Sequence, residues 1–110
     1  MKLPEEGILL RIFIGETDRI HGKALYEQIV LEARELGLAG ATVIRGTMGF
    51  GASSRLHLAK ILRLSEDLPI VIELVDTEEN LNKLMPFIDE NVTEGLVTME
   101  KVRVIKYRHK

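Results

Sequence analysis

Hydrophobic residues in this 110-residue chain fall into short stretches whose spacing changes from one to the next. Ile8–Ile14 (ILLRIFI) is almost continuously apolar and is closed by Gly15. That pattern predicts a strand covered on both faces or lying on a subunit boundary. Glu16, Thr17 and Asp18 are turn material. From about Gly22 to Leu36 the apolar residues Leu25, Ile29, Ala33 and Leu36 recur at helical spacing, and Gly37 stands where a helix C-cap glycine belongs. A strand over Ala41–Arg45 follows, with Ala41, Val43 and Arg45 on one face and Thr42 and Ile44 on the other.

The second half repeats the plan. Pro69 introduces Ile70–Val75 (IVIELV), a β-branched strand. Asp76 and Glu79 suggest a capping box, after which Leu81, Leu84, Met85 and Ile88 step through a helical stripe. Pro86 inside that stripe removes the bond to the Asn82 carbonyl and predicts a kink. Gly95 ends the connection, and the alternation from Leu96 to Tyr107 predicts the last strand.

Two strand–helix–strand units with right-handed crossovers give an α+β, ferredoxin-like sandwich in one domain. It has four antiparallel strands, two helices on one face and a long loop between the halves. Apolar strands leave the other face in need of cover, and in so short a chain another subunit is the nearest cover, so a homo-oligomer is expected.

The loop, residues 46–68, is too long for a hairpin turn and reads as functional. Gly46, Gly49 and Gly51 free its first part to approach a ligand closely, and backbone N–H groups there suit a phosphate. Arg55–Leu64 (RLHLAKILRL) has the spacing of a short amphipathic helix, for docking a partner or for packing on the protein itself.

A net charge of -2 argues against wrapping of nucleic acid through phosphates. RNA binding on a ferredoxin-like sheet needs aromatic platforms, and Phe13 is the only aromatic in the two central strands. With no cysteine there is no disulfide framework and no thiol chemistry. His21, His57 and His109 lack ligand spacing, so no metal site is expected. Ser53 and Ser54 near His57 have neither an oriented base nor an oxyanion site, so no catalytic residue is assigned. No stretch reaches the roughly 18 apolar residues of a spanning helix. The opening MKLPEEG lacks a signal-peptide core, and a cytoplasmic address is the simplest expectation.

Three stretches together resemble PII-like signalling proteins of the uncharacterised PII-like branch. They are GKALYEQIVLEARELGLAGATVIRG, the triplet Gly49-Phe50-Gly51, and Leu68-Pro69-Ile70-Val71-Ile72-Glu73-Leu74-Val75. The resemblance runs from about Ile8 to Tyr107. It implies a homotrimer with adenine nucleotides held in clefts between subunits. It also implies a loop that docks on a partner such as a transporter or metabolic enzyme. By the same resemblance Gly49, Phe50 and Gly51 lie against the ligand, Glu73 is the strand glutamate at the cleft, and Arg103 is a phosphate-binding arginine.

The chain departs from that pattern in four places. One extra residue stands between Thr42 and Gly49. Thr93-Glu94-Gly95-Leu96 lacks the lysine of the family's short loop, Ile105 replaces its second arginine, and Ala52-Ser53-Ser54 replaces the glutamine after Gly-Phe-Gly. Two phosphate-binding cations are thereby missing or relocated, which disfavours fully charged ATP and leaves a less charged adenine nucleotide, a cyclic dinucleotide or another anion as the ligand. The expected function is regulatory and not enzymatic: an adenine-type nucleotide as ligand, and action through residues 46–68. The alternatives are a ligand-independent trimeric adaptor and, less favoured, a metal-handling trimer.

Overall fold

The computed structural model of the chain describes residues 5–50, 57–58 and 67–108. Its main sheet has four antiparallel strands: β1 (Glu6–Gly15), β4 (Thr42–Arg45), β7 (Pro69–Asp76) and β8 (Leu96–Arg103), in the order β4-β7-β1-β8. Helix α1 (Leu25–Glu35) links β1 to β4 and α2 (Glu78–Asn91) links β7 to β8. This is the expected ferredoxin-like sandwich.

Period-two alternation decides what each strand buries. Leu10, Ile12 and Ile14 of β1 and Ile70, Ile72 and Leu74 of β7 turn to the helices. There they meet Leu25, Ile29 and Ala33 of α1 and Leu81, Leu84 and Ile88 of α2, all buried. Each large aliphatic side chain so buried stabilises the fold by roughly 1.5–3 kcal/mol. The register sets Leu10 opposite Leu74 and Ile12 opposite Ile72, making the core one continuous layer.

Several elements differ from the sequence reading. The first helix begins at Leu25, because residues 19–24 form a hairpin of β2 (Arg19–Ile20) and β3 (Lys23–Ala24). His21 and Gly22 both have positive φ (50° and 78°), as a two-residue primed turn between twisted strands requires. The cap of α2 is Thr77, whose side chain accepts from Asn80 N, and not the pair Asp76 and Glu79. Asp76 is consumed elsewhere. It is fully buried and accepts from Ala39 N at 2.8 Å, Thr77 N at 2.7 Å and Asn80 Nδ2 at 2.9 Å. Helix α2 continues through Pro86, which lies on its exposed side. The last strand ends at Arg103, four residues short of Tyr107, level with Glu6, the first residue of β1. Gly37 takes φ +80° after α1, as a C-cap glycine should.

In the long loop, β5 (Met48–Gly49) pairs with β6 (His57–Leu58). His57 and Leu58 are therefore strand and not part of a helix, while the rest of Arg55–Leu64 lies outside the described residues. Gly46 N donates to the Pro69 carbonyl at 2.7 Å, and a Cβ on Gly46 would stand 2.8 Å from Pro69 Cγ. The base of the loop is thus pressed against the start of β7.

Candidate functional site

The sheet face away from the helices carries a charged row between apolar ones. Arg11 lies opposite Glu73 on β7 and Thr98 on β8. Its Nε donates to Glu73 Oε2 at 2.8 Å and its Nη1 to Glu100 Oε1 at 3.0 Å. The hydrogen bond to Glu73 raises the guanidinium pKa above its already high ordinary value, with desolvation working the other way. Arg11 therefore stays charged, and Glu73 is held by a cation of its own sheet.

At the end of this face where β7 finishes, a cleft of about 700 Å³ opens. Three kinds of group line it. Leu9, Val75 and Val102 form an apolar floor. Ala39–Thr42 contribute backbone and a hydroxyl from one side, and Glu73 stands at the margin. Arg103 and Lys106 are the cations among the lining residues, and the segment Val104–Tyr107 forms the opposite wall. Tyr107 donates its hydroxyl to the Ala39 carbonyl at 3.1 Å, so the chain end crosses from the β8 edge to the start of β4. A floor that excludes water beside a cationic margin suits a molecule with a flat apolar part and an anionic part.

Glu73 and Arg103 both line this cleft, at different ends of it: Glu73 is level with Arg11 and Thr98, and Arg103 stands five residues further along β8. Arg103 is exposed and paired at 3.3 Å with the equally exposed Glu5. Gly49 and Phe50 stand elsewhere. Gly49 approaches Pro69, at the opposite end of β7, and Phe50 is 74% exposed. Four residues of strand separate Pro69 from Glu73, about 13 Å. Gly51 lies outside the described residues. Sequence reasoning missed Ala39, Lys106 and Tyr107. The available signal was strand length: the alternation over Leu96–Tyr107 is longer than the apolar run Ile8–Ile14. Among the described residues no group of three or more His, Cys, Asp or Glu is arranged to hold a metal ion, and no helix is long and apolar enough to cross a membrane.

The family model of DUF190, described as "Uncharacterized ACR, COG1993", matches residues 7–104. A UPF0166 protein of Aquifex aeolicus (strain VF5) is 38% identical over 97 residues, which is 88% of this chain and 91% of that protein. Among solved structures, CPII is described as a nitrogen regulatory PII-like protein from Thiomonas intermedia K12 bound to ADP, AMP and bicarbonate. It matches with a TM-score of 0.65 at 18% identity, over 92% of this chain and 90% of that one. The B. subtilis GlnK–ATP complex matches with a TM-score of 0.56 at 9% identity, over 92% and 85%. At such identities the structural likeness establishes the fold, and the sequence matches establish the family. The chain belongs to the DUF190 family, built on a PII-like ferredoxin-like fold.

Proposed function

We propose that this protein is a PII-like regulator. It binds an adenine-type nucleotide at the cleft beside β7 and acts on a partner through residues 46–68. The observation that carries the reading is the cleft, an apolar floor with Glu73 at one margin and Arg103 at another. Leu9, Val75 and Val102 offer the surface a purine ring buries against, Thr42 and the Ala39–Ala41 backbone offer polar partners for its edge, and Arg103 with Lys106 attracts phosphate. That CPII and GlnK carry adenine nucleotides on the same fold supports this choice of ligand.

Gly49 and Phe50 lie too far along β7 to reach the cleft of their own chain. A homotrimer resolves the separation: the loop base of one subunit closes over the cleft of the next, so ligand and loop conformation are coupled. A ligand that prefers one loop arrangement then shifts its population, with a coupling of about 1–3 kcal/mol.

Calorimetric titration with AMP, ADP, ATP and cyclic di-AMP, with and without magnesium, tests the proposal. Saturable binding near one ligand per chain is expected. Silence with all four ligands from a confirmed oligomer would overturn it in favour of a ligand-independent adaptor.

A further inference from the structure

Val104–Tyr107 follows β8 without belonging to it, and all four residues line the cleft. The segment starts beside β1, where Gly7 makes room for it. A Cβ on Gly7 would stand 3.1 Å from Val104 Cγ2. Its near end is held by the Val104 N–H, which donates to the Glu5 carbonyl. Its far end is held by the Tyr107 hydroxyl on the Ala39 carbonyl. Ala39 is a fixed post, since its own N–H is bonded to the buried Asp76 carboxylate. Between these ends Ile105 is 79% exposed.

We propose that Val104–Tyr107 is a gate over the cleft, latched by the Tyr107 hydroxyl on Ala39, and that its opening limits uptake and release of the nucleotide. The inference rests on the nucleotide reading above and adds a moving part to it. A segment outside the β-ladder opens at far lower free energy than the sheet beneath it. The gate also bears charge. Lys106 lies within it and Arg103 at its root, so an anion bound in the cleft draws the strap inward and favours the closed form. Tyr107 is the only aromatic among the lining residues, and its ring flanks the ligand whenever the latch is shut.

Tyr107→Phe keeps the ring and removes the latch. Stopped-flow fluorescence with AMP carrying an N-methylanthraniloyl group on its ribose reads the gate directly. The variant is expected to release the probe roughly two- to tenfold faster, in line with one lost hydrogen bond. Hydrogen exchange of the peptide spanning Val104–Arg108 is expected to quicken by a similar factor in the ligand-free variant. Unchanged release and unchanged exchange in a variant that still binds the probe would make the segment a fixed wall, overturning the gate and sparing the nucleotide site. Failure of the wild-type protein to bind the probe, and of unlabelled AMP, ADP and ATP to bind by calorimetry, would overturn both.

Discussion

Two carboxylates of β7 sit three residues apart and therefore face opposite sides of the sheet. Glu73 looks to the open face, half-exposed, with Arg11 as partner. Asp76 looks to the helix side, fully buried, and three donors converge on it. Removing Asp76 strands two backbone N–H groups and the Asn80 amide where water does not replace them. Asp76→Ala is therefore expected to cost roughly 2–4 kcal/mol in urea unfolding. A change below about 0.5 kcal/mol would show that the three bonds are not what holds the 37–40 segment to α2. Arg103 is the opposite case. Its pair with Glu5 is exposed on both sides, at 74% and 72%, and such a pair contributes little to folding. Arg103→Gln should leave the unfolding midpoint unaltered while weakening AMP binding by about tenfold or more, the loss of a charge-assisted contact to phosphate. Equal affinity in calorimetry would remove Arg103 from the site.

At the scale of elements, the sequence was legible where one period dominates. Ile70–Val75 alternates over a helix-covered face, and Leu25, Ile29 and Ala33 keep helical spacing, so β7 and α1 were readable from their cores. The ends were not. Asp76, Thr77 and Glu79 all present capping chemistry, and only the pleat of β7, which buries Asp76, leaves Thr77 to cap α2. The segment beyond Arg103 alternates like a strand because a strap is extended too; pairing, and not conformation, separates them. Gly95 shows local chemistry serving the sheet. Its φ is +147°, and a Cβ there would lie 2.5 Å from the Phe13 carbonyl oxygen, a backbone atom that cannot step aside. Gly95→Ala should therefore destabilise by roughly 2 kcal/mol or more and shift the start of β8, seen as lost protection of Leu96–Thr98 in hydrogen exchange. Pro86 acts in the other direction. Pro86→Ala restores a donor to the Asn82 carbonyl, worth up to about 3 kcal/mol in a helix interior, against roughly 0.4–1 kcal/mol of unfolded-state entropy that proline removes. The first effect is the larger, so the variant should melt higher, and a lower melting temperature would mean that α2 is shaped around the proline.

For the whole molecule the open sheet face decides. Ile44, Val71, Phe13 and Leu96 stand in one cross-strand row over all four strands. Ile44 is 46% and Leu96 56% exposed in the single chain. An antiparallel sheet that faced water on this side would carry polar residues there. The row therefore calls for a cover, and the proposed trimer supplies one from copies of the same face. Val71 lies at the centre of the row but outside the helix-side core, so Val71→Glu separates association from folding. The variant chain should keep its circular dichroism, because the new carboxylate reaches solvent in the isolated subunit. Association would instead bury that charge in each copy at a cost of several kcal/mol, and the protein should sediment at the mass of one chain where the proposed trimer would sediment at three. The same variant should lose nucleotide binding if the Gly49–Phe50 turn of one subunit completes the cleft of the next, since that turn lies about 13 Å along β7 from Glu73 of its own chain. A monomeric Val71→Glu protein that bound AMP as tightly as the wild type would leave the cleft a site of the single subunit. The loop would then have no direct contact with the ligand it is proposed to report.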